Sequence, residues 1–160
     1  MTAPGDNKDK LQEALQLCTI HSERMLFAEE KLKKHFPLSK ATYLQLQPEE
    51  LSFFDQLIFR FSKLQDSMGS RLFPALLLNL GENVKGIPFI DLLNKLEELE
   101  IINSADDWLL LRETRNIVTH EYPFVTEEVI QGLNLLHKHT GLLSDIWKQS
   151  KNYTHKRFKL

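Results

Sequence analysis

The chain has a single cysteine, Cys18, so it cannot close an internal disulfide, and its chemistry is expected to suit a reducing compartment. Cys18 sits among Leu11, Ala14, Leu15 and Ile20, which reads as a small core residue rather than an activated nucleophile. Glycine is sparse, and none of the six forms a phosphate-cradling loop. There is no His-Glu-x-x-His helix and no nucleophile elbow. The densest apolar stretch, Phe73 to Leu80, is far too short to cross a bilayer. Residues Met1 to Asp6 are polar and lack the apolar core of a signal peptide, so the expected location is cytoplasmic. No long stretch alternates with period two, which argues against a sheet. The net charge of −2 excludes a chain that is basic throughout and binds nucleic acid by bulk charge.

What is present is helical periodicity. At 160 residues with 42% hydrophobic side chains, the chain suits one domain with its own core. The boundaries read as a single helical domain over 1–150 and a basic tail over 151–160. The stretch from 146 onward carries Lys148, Lys151, Lys156, Arg157 and Lys159 with no acid. It suits either contact with phosphates or an acidic partner, or a frayed terminus in water.

The expected fold is an all-α, up-and-down bundle of about five helices. The first spans Asp6 to His35, with Leu11, Leu15, Cys18, Met25 and Leu32 on one stripe, and Pro37 stops it. The second opens at Pro48, with Glu49 and Glu50 at the positive end of its dipole, and buries Phe54, Leu57, Ile58, Phe61, Leu64, Met68 and Leu72. Gly69 weakens it, and Pro74 should kink or break it. After a loop from Gly81 to Gly86, a short helix runs from Pro88 to about Ile101. Ser104 and Thr126 read as N-caps of the last two. Phe59, Asp66 and Phe73 recur at seven-residue spacing opposite the core stripe. That row suits either an outward contact surface or a helix sandwiched within its own bundle.

Chemistry concentrates on the helix that starts at Ser104. Leu110, Leu111, Thr114, Ile117 and Val118 fall within one arc, the expected core face. Arg112, Arg115, Asn116, Thr119 and His120 fall opposite it. Arg112, Asn116 and His120 make a row at four-residue spacing. Arg115 and His120 diverge by roughly 140° on an ideal wheel, so one helix does not bring them together. A second copy of the helix would. Histidine exchanges protons near neutral pH, arginine matches phosphate oxygens, and asparagine donates to them. These are parts for cleaving RNA without a metal: a base takes the 2′-hydroxyl proton and cations hold the charge on phosphorus. A histidine ending a helix is equally a normal dipole-compensating cap. His137 and His139, two apart, diverge too far for a metal pair. Trp108 and Trp147 read as packing or interface residues, and Glu97, Glu98 and Glu100 as a solvated face.

The run Arg115-Asn116-x-x-x-His120-x-Tyr122 resembles the motif of HEPN domains, in particular the HepT-like branch. The stretches Phe59 to Asp66 and Leu72 to Leu77 are also similar to that branch, and the similarity extends over roughly Pro48 to Trp147. The resemblance implies a homodimer whose two motif helices line one cleft, and an RNA-cleaving toxin with Arg115, Asn116 and His120 as catalytic residues. It implies no metal and no cofactor. It also implies a minimal nucleotidyltransferase antitoxin that transfers AMP from ATP to Tyr122. Asp66 and Arg112 are further candidates at the cleft. Relatives of this kind include non-catalytic partners of the transferase, so a helical substrate-binding subunit is the alternative reading.

Overall fold

The computed structural model describes residues 4–160, so Met1, Thr2 and Ala3 of the polar first segment lie outside it. It is all-helical, with seven α-helices and no strand among the described residues. All five expected elements are there, and two further helices come from a short capped turn and a break. Helix α1, Pro4–Leu32, buries Leu11, Leu15, Cys18, Met25 and Leu32 at helical spacing. Burial pushes the Cys18 thiol up to about 12, as suits a core residue. A 3₁₀ turn over Lys33–His35 ends the helix before Pro37.

The connection that follows holds α2, Lys40–Leu44. Ser39 and Thr42 cap each other's backbone there: the Thr42 N–H donates to Ser39 Oγ at 3.2 Å and the Ser39 N–H to Thr42 Oγ1 at 2.9 Å. The segment is pinned from afar by Asn134, which accepts from the Leu38 N–H at 2.7 Å and donates to the Leu38 carbonyl at 3.0 Å.

Helix α3, Pro48–Ser67, begins as expected with proline in its first turn, and the Glu50 carboxylate accepts from the Gln47 N–H at 3.1 Å. A wide π turn over Met68–Leu72 then leads into α4, Phe73–Asn79. Pro74 explains the turn: it has no N–H to donate, and its ring would strike the Ser70 carbonyl in a continuous helix. The turn changes the register. Of the row left open between an outward surface and a sandwiched helix, Phe73 is fully buried, edge-to-face on Trp108 at 4.9 Å. Phe59 and Asp66 do face outward.

Helix α5, Phe89–Glu98, packs Leu92, Leu93 and Leu96 inward. Helix α6, Ala105–Thr119, is capped by Ser104, whose hydroxyl accepts from the Asp107 N–H at 3.3 Å. Helix α7, Glu127–Phe158, is capped by Thr126 and is 32 residues long. It does not stop near 150. Thr154 is fully buried, and Tyr153 and Phe158 pack on the core, so the expected basic tail is the last part of α7. Helix α1 lies along α3, α7 along α6, and α6 also rests on α3.

Two contacts fix how α6 sits. Gly132 on α7 packs tightly against α6: a Cβ there would lie 2.9 Å from Ile117 Cγ2. Gly132→Ala gains about 1 kcal/mol of helix propensity but forces a β-branched neighbour aside, so a net loss of about 1–2 kcal/mol is expected in urea unfolding. An unchanged or higher midpoint would show that α6 yields freely at this point. On the other flank the buried Gln65 amide, oriented to satisfy both partners, donates to the Leu111 carbonyl at 3.2 Å and accepts from the Arg112 N–H at 2.7 Å.

Candidate functional site

The buried stripe of α6 is Ala105, Trp108, Leu111 and Thr114. Its centre lies roughly 90° from that of the expected arc, toward Trp108. Leu110, placed on the core face by the sequence pattern, is therefore 46% exposed, while Ile117 and Val118 are half-buried. The same rotation draws Arg115 partly inward. Its Nη2 donates to Asp66 Oδ2 on α3 at 2.9 Å, and its Nε is buried without a partner. With both side chains partly solvated, this pair orients the guanidinium more than it stabilises the fold.

Arg115 and Asp66 border a cavity of about 640 Å³ between α3, α5 and α6. Trp108 and Gly69 supply its apolar lining, and Asn116 and Arg112 complete its polar rim. The Arg112 guanidinium lies over the Phe89 ring, 5.5 Å from its centroid, which holds its charge at the opening. An arginine fork, a second cation and a carboxamide thus face one open space, a donor set that fits a phosphodiester. Ser70, from the π turn, also lines it and was not apparent from the sequence.

His120 is elsewhere. It follows the last residue of α6 with extended backbone, exposed to solvent, and its ring meets Tyr122 edge-to-face at 4.7 Å. Both line a second cavity, of about 540 Å³, with Asp55 and Ile58 of α3 on its far wall. The structure therefore gathers Arg112, Arg115, Asn116 and Asp66, and sets His120 and Tyr122 apart from them. This agrees with the divergence of Arg115 and His120 on the helical wheel. The Tyr122 phenol is held above its ordinary value, first by loss of solvent and then by the Glu128 carboxylate.

Behind Arg115 lies a polar contact that sequence reasoning missed. Thr114 is fully buried, and its Oγ1 is 2.6 Å from His139 Nδ1 on α7. The only hint was a threonine within an apolar arc, since a buried hydroxyl must find a partner. His139 lies below its ordinary value, chiefly through desolvation and then the Lys138 charge, with Asp107 and Glu113 opposing. A histidine with a lowered folded value stabilises the fold above its unfolded value, about 6.5, and loses that contribution as pH falls through the folded one. The melting temperature of wild type should therefore fall on acidification below about 6.5 more steeply than that of His139→Asn. Parallel pH profiles would contradict this. His137, by contrast, faces α1, where it pairs with Glu29 and stacks on Phe36 at 4.1 Å. Among the described residues no group of three His, Cys, Asp or Glu is placed to hold a metal ion.

Comparison with family models, with curated proteins and with solved structures returns no match.

Proposed function

We propose that the chain is a HEPN-type domain of the HepT-like branch, acting as a metal-independent RNA-cleaving toxin. It works as a homodimer and is paired with a minimal nucleotidyltransferase antitoxin. The observation that carries this reading is the half-cleft itself. Arg115, Asn116 and Arg112 rim one cavity with Asp66 orienting the arginine, while the proton-transferring residue of the motif, His120, stands exposed beyond the helix end, against Tyr122. Two copies related by a two-fold axis would bring the His120 of each toward the Arg115 of the other.

In the assembled cleft His120 accepts the proton of a ribose 2′-hydroxyl, and the 2′-oxygen attacks the adjacent phosphorus. Arg115 and Asn116 donate to the phosphoryl oxygens as charge builds there. The 5′-oxygen leaves and takes up a proton, giving a 2′,3′-cyclic phosphate and a 5′-hydroxyl. Inhibition follows from the neighbourhood of Tyr122. In AMP transfer the tyrosine oxygen attacks the α-phosphorus of ATP, pyrophosphate departs, and the phenolic proton goes to a base of the transferase. The bound AMP then sets a negative charge beside His120, where substrate phosphate would approach.

The test is cleavage of an RNA oligonucleotide by the purified dimer in EDTA. Products ending in a cyclic phosphate are expected, with protection of an oligonucleotide that lacks only the 2′-hydroxyl at the cleaved position. Cleavage that stops with EDTA, or that proceeds equally on DNA, contradicts the proposal. The second reading, a non-catalytic substrate-binding subunit of the transferase, draws on the separation of His120 from Arg115 within one chain and on the accessible loop position of Tyr122. Under that reading the chain still gains the mass of AMP from its partner with ATP and magnesium, but RNA stays intact. A mass increment persisting in Tyr122→Phe would exclude Tyr122 as the sole acceptor in either case.

A further inference from the structure

The outer seam between α1 and α3 joins exposed aromatic rings to cations that make no ion pair among the described residues. Phe59 on α3 is 50% exposed, with the Arg60 guanidinium 5.1 Å and the Lys63 ammonium 5.6 Å from its ring centroid. Across the seam, Arg60 Nη1 donates to His21 Nδ1 on α1 at 2.9 Å, and Gln56 Nε2 donates to the Arg24 carbonyl at 3.0 Å. One turn beyond Arg24, Phe27 is 53% exposed and carries Lys31 5.4 Å from its ring centroid. Arg24, Lys31, Arg60 and Lys63 make no ion pair among the described residues. The crowding is felt locally: Arg60 and His21 both lie below their ordinary values, through desolvation first and neighbouring cations second. In a chain with a net charge of −2, so concentrated a positive patch is a departure from the average surface.

The chemistry of the seam selects its occupant. A ligand that matches it must bring several negative charges and flat rings to stack on phenylalanine and guanidinium planes. A second copy of this chain meets neither need. A two-fold contact centred here would face Arg24, Arg60 and Lys63 with the same cations. The seam is also continuous with the cleft. Phe59 and Asp66 share one row of α3, seven residues and roughly 10 Å apart, with Lys63 between them.

We propose that the α1–α3 seam is a single-stranded RNA-binding strip that holds nucleotides flanking the cleaved position, with Phe59 stacking on a base and Arg24, Arg60 and Lys63 following the phosphates. The strip rests on the RNA-cleaving reading of the cleft, and it would set which RNA segments, single-stranded and several nucleotides long, are held well enough to be cut.

The probe is a 2′-O-methylated RNA of about a dozen nucleotides, which cannot be cleaved, bound to the full-length dimer and followed by fluorescence anisotropy. Phe59→Ala should weaken binding about tenfold. Arg60→Gln with Lys63→Gln should lower the slope of log affinity against log salt by roughly 1.4 units. Lys63→Gln alone, at an exposed position, gives about half that change if the double variant fails to fold. Cleavage of a dinucleotide, too short to reach the seam, should be the same in Phe59→Ala as in wild type. Binding and salt slope unchanged in all variants overturn the strip, whatever the dinucleotide assay gives. Strip-dependent binding without cleavage of the same RNA carrying free 2′-hydroxyls supports the strip and overturns the nuclease reading. Unchanged RNA binding together with dissociation to monomers in sedimentation assigns the seam to a second copy and also overturns it.

Discussion

His120→Ala is expected to lower the RNA-cleaving rate at least a hundredfold while leaving the melting temperature within a degree or two of wild type. The rate estimate follows from what a positioned acid–base group contributes, about 10²–10⁴-fold. The stability estimate follows from placement. His120 lies outside α6, exposed, with an edge-to-face contact to Tyr122 as its notable side-chain interaction. Surface positions of that kind shift stability by about 0.5 kcal/mol or less. Arg115→Ala should lower the rate by a similar factor, because on the proposed reading it removes the main donor to the phosphoryl oxygens. Its structural cost is also small, since the Asp66 pair it breaks is partly solvated.

The two variants together test the shared cleft. If Arg115 and His120 act within one chain, a mixture of the two inactive proteins stays inactive. If they act across a dimer, each mixed dimer has one site with the intact Arg115 of one copy and the intact His120 of the other. Random exchange makes about half the dimers mixed, so roughly a quarter of wild-type activity should return. Their placement within one chain favours return, because Arg115 and His120 line different cavities. No recovery after demonstrated subunit exchange would remove the dimer from the mechanism.

The helix ends were legible because local chemistry sets them. Pro37, Pro48, Ser104 and Thr126 each act on their own backbone neighbours, and each stands where the pattern placed it. The misplacements have non-local or cryptic causes. Helix α2 hides in a polar segment because its cap is Ser39 with Thr42, without the acid or amide that usually marks a capping box. The end of α7 was cut short because the residues that continue its buried face past Trp147 are Ser150 and Thr154, which hydrophobic periodicity does not register. The row of Phe59, Asp66 and Phe73 stayed open between outward and sandwiched because the π turn shifts Phe73 out of register with the other two. In the site, the divergence of Arg115 from His120 follows from helix geometry alone and could be read at once. The Asp66 contact, the Gln65 clamp and the Thr114–His139 pair join helices distant in sequence, and no single-helix wheel contains them.

Trp108→Ala should cost about 3–5 kcal/mol, the usual range for emptying a buried tryptophan site. Trp108 is 2% exposed, among the largest fully enclosed side chains. It meets Phe73 edge-to-face at 4.9 Å, and its Cζ2 lies 3.4 Å from where a Cβ on Gly69 would be. It therefore fills the space that the π turn opens and gives α3 a surface against which α6 can seat. In a domain whose whole stability is about 5–15 kcal/mol, that loss should lower the melting temperature by roughly 10–15 °C. Trp108→Phe keeps an aromatic contact with Phe73 and should cost about half as much. The cleft reports on the same residue, because Trp108 lines the cavity that Arg112, Arg115 and Asn116 rim. Trp108→Phe should therefore lose cleavage activity at temperatures where it remains fully folded, as the arginines lose their support. A cost under about 1 kcal/mol for Trp108→Ala would show that the core relaxes into the space. Normal cleavage by folded Trp108→Phe would show that the rim is held by the Gln65 and Asp66 contacts alone.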